Sequence, residues 1–182
     1  MDHRFGLHAT AIGSIGLVWT PRGIAGVQIP AKDEDATRRA LQKRFPDAAE
    51  AATWPTFVAD ALASIRALLA GERISLAAIP LDLDGVSDFD GRVYAVASGI
   101  RAGDTMTYGE VAARLGDPSA ARDVGRALGR NPVPIIIPCH RVLAAGGRTG
   151  GFSAPGGVAT KLRLLAIEGA APGGQFDLFG HG

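Results

Sequence analysis

The chain has 182 residues and a formal net charge of +1, and its composition, 47% hydrophobic and 20% charged, is that of a folded globular protein. Its single cysteine excludes an internal disulfide and a zinc site built from several thiolates. No apolar run approaches the roughly 18 residues of a membrane span, and the first residues lack the apolar segment of a signal peptide, so we expect a cytoplasmic protein without membrane contact.

Residues 7–29 predict a β-hairpin. Small and apolar residues alternate there around residues 20–23, TPRG, which have proline at the second and glycine at the fourth position of a turn. A helix is predicted over residues 33–45, because three acidic residues come first and four basic residues come later, the order that the helix dipole favours.

A second helix is predicted to begin at Pro55 and to end near Gly71, since apolar residues recur on one side of it. The apolar run 74–79 predicts a strand, and the segment after it, PLDLDG, is the best candidate for a domain boundary. We therefore expect a small α/β domain over residues 1–84 that supports the rest of the chain.

Residues 85–170 predict a mainly helical domain. Thr107 and Glu110 have the spacing of a capping box, and the helix that they begin should end at Gly116. Asp117 and Pro118 then have the order of an N-cap and a first helical residue. Two short helices joined by a tight turn predict a helix-turn-helix, although many such units bind no DNA.

The second of these helices has a basic stripe, because Arg122, Arg126 and Arg130 recur every four residues. A thin helix with such a stripe can lie deep in a groove of DNA, and an arginine at its start can enter the base stack. A solvated surface has the same pattern, so both interpretations stay open. The small residues that keep the helix thin are Ala121, Gly125 and Gly129.

Charge is distributed unevenly along the chain. Residues 87–170 contain ten Lys/Arg and seven Asp/Glu, whereas the remainder contains nine and eleven, so the two parts carry +3 and −2. This difference favours nucleic-acid contact through the C-terminal part, and a mixed solvated surface would look similar.

The only cysteine lies in the stretch NPVPIIIPCHRV, residues 131–142. Its three prolines restrict the backbone, so residues 133–137 should be extended and stiff, with Cys139 at their fixed end. A nucleophilic thiol needs a neighbouring base or cation, and His140 and Arg141 supply both residue types. A lone cysteine is more often a small buried hydrophobic residue.

The final helix is predicted over residues 158–168. Glu168 lies at its C-terminus, where a carboxylate is unfavourable, and this placement suggests a specific partner, with His140 as the candidate. Residues 171–182 are rich in glycine and should form a flexible tail. The residues expected to pack this helix are Val158, Leu162, Leu165 and Ala166.

The pattern Asn-Pro-x-Pro-x-x-x-Pro-Cys-His-Arg-Val resembles the active-site signature of the O6-alkylguanine-DNA alkyltransferases, and the similarity extends from Phe89 to Gly169. The resemblance implies an α+β fold: a small antiparallel sheet with helices, followed by an α-helical DNA-binding domain. It also implies repair of double-stranded DNA, in which the cysteine takes the alkyl group from a flipped-out guanine, with O4-alkylthymine as an additional candidate substrate, and keeps it as a thioether.

The same resemblance implies roles for five residues. Cys139 is the alkyl acceptor, His140 is a base that acts through a water, and Glu168 orients His140. Asn131 stiffens the turn before the cysteine. Tyr108 donates a hydrogen bond to N3 of the guanine and also contacts the DNA backbone.

Further residues are implied to contact the base or the DNA. Arg122 takes the place of the flipped nucleotide in the base stack. Val142, Ser153 and Phe152 line the base pocket; Phe152 and Ala154 stand where many members have Tyr and Gly, which changes the expected width of the pocket. Metal and cofactors are not expected, and the protein should act as a monomer.

Two other functions are compatible with the residues alone. A lesion sensor or helix-turn-helix regulator would bind DNA without transfer, and a Cys-His hydrolase would turn over repeatedly. Related lesion binders have Trp at the cysteine position, so Cys139 argues against the first.

Overall fold

A β-sheet organises the N-terminal part of the computed structural model, which describes residues 2–170; the tail predicted over 171–182 lies outside the described residues. Across residues 2–170 this sheet has four strands in the order β3-β2-β1-β4. They are β1 (Arg4–Thr10), β2 (Gly13–Thr20), β3 (Gly23–Gln28) and β4 (Ala49–Glu50).

The predicted hairpin is present as β2 and β3, which pair antiparallel around the turn at residues 20–23. The alternating pattern extends one strand further than a hairpin, since β1 also pairs antiparallel with β2, from Arg4 opposite Trp19 to Thr10 opposite Gly13. The short β4 pairs parallel with β1 and so adds one parallel edge to the predicted antiparallel sheet.

Helix α1 (Glu34–Arg44) begins where the acidic residues predicted it, because the Asp33 carboxylate accepts a hydrogen bond from the Ala36 amide at 2.7 Å. It packs on the sheet through Leu41, which occupies the space above Gly16. A side chain at that glycine would collide with the leucine, so this glycine allows the helix to lie close to the strands.

Helix α2 (Thr56–Leu69) buries one apolar side at helical spacing, as predicted. The strand predicted over residues 74–79 is wrong, since the chain turns there and meets β3 only through Ile24, whose amide donates to Pro80 O at 2.8 Å. Pro80 has no amide hydrogen and cannot continue a ladder. The buried residues of α2 are Val58, Ala61, Leu62, Ile65, Leu68 and Leu69.

The C-terminal part contains the predicted helix-turn-helix. Helix α3 (Asp88–Ser98) is followed by the short strand β5 (Met106–Thr107) and by α4 (Tyr108–Arg114), and the predicted capping box begins α4. Residues 118–120 form one 3-10 turn before α5 (Ala121–Gly129). Strand β6 (Val142–Leu143) pairs with β5 immediately after the cysteine segment.

Helix α6 (Val158–Ile167) is present, but the buried face predicted for it is wrong. Val158 and Leu162 are exposed, and Lys161 is buried instead. The face is rotated because the helix packs beneath the cysteine segment, where the Lys161 ammonium donates to Val142 O at 2.6 Å. Of the four residues predicted to pack, Leu165 is buried, while Ala166 is exposed.

One hydrophobic core cluster joins the sheet to the helical part, extending from Ile15 in β2 through Val93 in α3 to Leu164 in α6. Division into domains at residues 84 and 85 stays a prediction. Among residues 2–170, no helix combines the length and the hydropathy that crossing a bilayer requires.

Candidate active site

The segment that carries the cysteine folds back on itself, so the prediction that residues 133–137 are extended is wrong. Ile137 donates its amide hydrogen to Val133 O at 3.0 Å, and Ile135 has a φ of +76°, which a β-branched residue rarely adopts. The buried Asn131 holds the turn, because its Nδ2 donates to Ile137 O at 2.8 Å and its Oδ1 accepts from the Val133 amide at 3.0 Å.

Cys139 begins a single 3-10 turn and is only 8% exposed. Burial raises the pKa of its thiol, while a hydrogen bond from Asn131 and the positive charge of Lys161 act in the opposite direction. These two groups favour the thiolate, but burial outweighs them and the pKa of the thiol is raised on balance. The resting thiol is therefore protonated. Reaction requires a group that can take this proton.

His140 can take that proton. Its Nε2 lies 2.9 Å from Oε1 of Glu168, and because a carboxylate only accepts hydrogen bonds, Nε2 carries the hydrogen. Nδ1 is then an acceptor, and it is buried without a hydrogen-bond partner among residues 2–170. Burial lowers the pKa of His140, which keeps the ring neutral and able to accept a proton.

The sequence suggested that Arg141 is the cation beside the thiol, but Arg141 binds Glu168. Its guanidinium instead donates to Glu168, from Nε to Oε2 at 2.9 Å and from Nη2 to Oε1 at 2.8 Å, and from Nη1 to Ile100 O at 2.6 Å. Burial alone would raise the pKa of Glu168, but the hydrogen bonds from His140 and Arg141 outweigh it and lower that pKa to about 2. Glu168 is thus a fixed negative charge.

Lys161 supplies the positive charge near the thiol. It is 1% exposed, and its ammonium donates to Val142 O at 2.6 Å and lies 5.7 Å from the centre of the Tyr108 ring. Burial lowers its pKa to about 8, so at neutral pH it is still charged.

A cavity of about 480 Å³ opens above Cys139. Phe152 and Ser153, which were predicted to line a base pocket, line this cavity, and the Ser153 hydroxyl donates to Gly129 O at 3.2 Å. Val142 is placed differently from the prediction, because it lies in β6, is fully buried and does not line this cavity. The residues around the cavity are Tyr108, Gly125, Leu128, Gly129, Cys139, Gly151, Phe152 and Ser153.

Tyr108, the first residue of α4, forms one wall of this cavity. Burial raises the pKa of its hydroxyl, which therefore remains a hydrogen-bond donor at neutral pH. Gly150 has a φ of +72°, and a Cβ there would come within 2.8 Å of the Tyr108 hydroxyl. Glycine at this position lets the loop pass the tyrosine closely.

The exposed side of α5 lies beside the same cavity, since Gly125 belongs to both. Arg122 is exposed in the first turn, and no ion pair involves it within residues 2–170. Arg126 pairs with Asp123 at 2.9 Å on the surface. Arg130, the third member of the predicted basic stripe, is instead bound to the buried Asp90 through two hydrogen bonds of 2.8 and 2.7 Å.

The profile of one protein family matches the C-terminal part of the chain. The description "6-O-methylguanine DNA methyltransferase, DNA binding domain" belongs to the family profile that matches residues 88–170. The chain is 37% identical to the methylated-DNA–protein-cysteine methyltransferase of Methanothermobacter thermautotrophicus over 161 residues. This aligned region is 88% of this chain and 82% of that protein. The chain belongs to the O6-alkylguanine-DNA alkyltransferase family.

Further comparisons agree with this family. The methylated-DNA–protein-cysteine methyltransferase of Mycolicibacterium paratuberculosis is 44% identical over 114 residues, which is 63% of this chain and 67% of that protein. The crystal structure of Mycobacterium tuberculosis OGT in complex with DNA superposes with a TM-score of 0.71 at 30% identity and covers 93% of each chain.

Two residues of this alkyltransferase site were missed from the sequence. Lys161 was missed because the apolar face of α6 was assigned one residue out of register. A signal was present, since Lys161 lies seven residues before Glu168, which is two helical turns, and therefore shares its face. Arg141 was recognised as a cation, but nothing in the sequence showed that it binds Glu168 rather than the thiol.

The described part of the chain has no group of three or more His, Cys, Asp or Glu residues that could hold one ion.

Proposed function

We propose that this protein repairs DNA by moving an alkyl group from O6 of guanine to Sγ of Cys139, once per molecule. The observation that carries the proposal is the position of Cys139, which lines a cavity beside α5 and directly precedes His140, whose buried Nδ1 has no hydrogen-bond partner among residues 2–170. A buried thiol with a proton acceptor and an accessible cavity can act as a nucleophile.

The proton and electron movements follow from the contacts. His140 Nδ1 takes the thiol proton through a water, and the Glu168 carboxylate stabilises the imidazolium that forms. The sulfur then attacks the alkyl carbon as the bond from that carbon to O6 breaks, the electron pair of that bond passes to the guanine, and the guanine anion takes up a proton from water. Tyr108 donates a hydrogen bond to N3 of the guanine, where negative charge develops.

The product explains the stoichiometry. A thioether is not hydrolysed under physiological conditions, so the alkyl group stays on Cys139. Each molecule therefore completes one transfer.

DNA is bound through α5 in this proposal. The cavity lies above a buried thiol, so the damaged base has to leave the duplex to reach Cys139, at a cost of a few kcal/mol. Arg122 fills the gap in the base stack, and Arg126 attracts the phosphates. The small residues Ala121 and Gly125 allow α5 to approach the groove closely.

The other residues and domains have roles in base binding, DNA binding and support. Phe152 and Ser153 contact the flipped base, residues 85–170 bind DNA and carry out the transfer, and residues 1–84 support them. Because the substrate is double-stranded DNA, we place the protein in the cytoplasm in contact with the chromosome, acting as a monomer without metal or cofactor.

A label-transfer assay tests this function. Duplex DNA with one labelled O6-methylguanine is incubated with increasing amounts of the protein and of its Cys139→Ser variant. The proposal predicts one label per wild-type molecule and none in the variant. A lesion sensor would retain the label on the DNA, and a hydrolase would release it repeatedly into solution.

A further inference from the structure

A short apolar cluster follows α6 in the sequence. Residues 175–179 are QFDLF, and they contain two of the seven phenylalanines of the chain. Residues 171–174, which precede them, are APGG and have no side chain larger than proline. Three apolar side chains grouped with Gln175 and Asp177 after such a linker have the composition of a short peptide ligand, in which apolar side chains fill pockets on a partner and polar ones fix the register.

The linker joins the described part of the chain at a surface separate from the base cavity. Ala170 is buried against Leu143 and Leu165, and none of these three residues lines the cavity at Cys139. Four residues separate Ala170 from the cluster. Because a fully extended chain covers at most about 3.6 Å per residue, the cluster begins within roughly 18 Å of Ala170. A partner that binds the cluster must therefore approach the end of α6.

Few cations on α5 are available to attract DNA. Arg126 pairs with Asp123, and Arg130 pairs with the buried Asp90. The whole chain has a net charge of only +1. Since nonspecific affinity for DNA grows with the number of phosphates neutralised, this protein gains little of it. Attachment to a partner that is already on the duplex would raise its local concentration there without any new phosphate contact.

We propose that residues 175–179 bind the sliding clamp, the ring-shaped protein that encircles duplex DNA and holds polymerases on it. Bacterial clamps bind polymerase peptides of the pattern Gln-x-Asp-Leu-Phe, whose Leu-Phe pair enters an apolar pocket on the ring. The chain has each specified residue of this pattern, namely Gln175, Asp177, Leu178 and Phe179. This inference goes beyond the proposed function, because clamp binding involves neither Cys139 nor a damaged base.

A cavity of the chain itself is the competing site for the cluster. Its volume is about 600 Å³, and it is close to the linker, since Arg73 lines it and a Cβ at Gly169 would lie 3.5 Å from Nη2 of Arg73. Apolar walls of this kind accept apolar side chains in any order, whereas a peptide pocket requires one order. The apolar residues that line this cavity include Ile74, Leu76, Ile100, Ala102, Ile135 and Pro138.

Surface plasmon resonance with the full chain and the immobilised sliding clamp of the same organism tests the inference. Wild type is expected to bind. The double substitution Leu178→Ala and Phe179→Ala should weaken binding at least about tenfold, because two apolar side chains no longer enter the pocket. A variant with residues 175–179 reversed to FLDFQ keeps the composition and should lose binding to the same extent. His181→Ala, which lies outside the pattern, should bind as wild type does.

Failure of wild type to bind the clamp, or equal binding by wild type and the reversed variant, would overturn the inference. Hydrogen exchange at residues 73–77 and 100–102 is compared between wild type and the double variant without the clamp. Faster exchange in the double variant, together with no clamp binding by wild type, would assign the cluster to the cavity of the chain itself and would also overturn the inference.

Methyl transfer to a short linear duplex, measured without the clamp, separates this inference from the proposed function. The double variant should transfer the methyl group at the wild-type rate, because its substitutions lie outside the site at Cys139. Loss of transfer in the double variant would contradict a role of the cluster in clamp binding alone and would overturn the inference. Absence of transfer in wild type would contradict the proposed function, while the clamp binding would still be decided by the resonance measurement.

Discussion

Oε1 of Glu168 lies 2.9 Å from Nε2 of His140, although the two residues are 28 positions apart in the chain. The carboxylate sits at the C-terminal end of α6, where the helix dipole disfavours it. Hydrogen bonds from His140 and Arg141 compensate for this position. The pair links the last described helix to the turn that carries Cys139.

Replacing Glu168 with glutamine should destabilise the fold by about 3–5 kcal/mol, because Arg141 would be left buried without its ionic partner. The melting temperature should fall by roughly 10 °C. The pKa of Glu168 is lowered from 4.5 to about 2 on folding, so its stabilising effect is present above pH 4.5 and is lost as the pH falls towards 2. Thermal denaturation of wild type and Glu168→Gln across this pH range measures the loss of stabilisation. A difference in melting temperature that does not change with pH would contradict this role of Glu168.

Lys161→Met should slow the reaction with free O6-benzylguanine roughly tenfold at neutral pH, since the ammonium favours the thiolate of Cys139. The pKa of Lys161 is about 8, so wild type loses this charge as the pH rises through 8. The difference between the two proteins should therefore shrink above pH 8. Rates measured on either side of that pH test the role, and a difference independent of pH would assign Lys161 to packing alone.

Tyr108→Phe should slow reaction with duplex DNA and with free O6-benzylguanine alike, by about 100-fold, because the hydroxyl is the proposed donor to the leaving guanine. The ring and its contacts with the loop at Gly150 are retained in this variant. Single-turnover rates on both substrates decide the matter. Slowing confined to duplex DNA would show that Tyr108 acts on the DNA backbone only.

Arg122→Ala should slow repair of duplex DNA by about tenfold or more and should leave reaction with the free base unchanged, because a free base needs no flipping. Arg126→Ala is the matched control on the same helix, and its effect should be smaller, since Arg126 is paired with Asp123. Both variants are measured at two salt concentrations. Full recovery of Arg122→Ala at low salt would indicate a phosphate contact rather than insertion into the base stack.

Local signals predicted much of the fold. The acidic start of α1 and the capping box of α4 each specify a helix end through neighbouring residues, and both were predicted correctly. The strand predicted over residues 74–79 was wrong, because a strand also needs a partner strand with a free edge. Pro80 has no amide hydrogen, so pairing with β3 is limited to one bridge at Ile24. A local sequence pattern does not show which distant segments pair with each other.

The same distinction applies to the site. The pairing of Glu168 with His140 was predictable from an unfavourable carboxylate at a helix end. The turn at Ile135 was not, because three prolines favour an extended chain, and only the buried side chain of Asn131 shows why it folds back. The course of that turn determines which side chains face the thiol. Lys161 was overlooked for a different reason, since its spacing from Glu168 placed it on the same face of α6.

The most direct test of the account is the mass of the peptide that contains Cys139 after incubation with DNA carrying O6-methylguanine. Digestion and mass spectrometry should show one added methyl group on that peptide, with the DNA restored to guanine in equal amount. Cys139→Ala should show neither change. Methyl transfer that persists in Cys139→Ala, or more repaired guanines than protein molecules, would contradict the central claim.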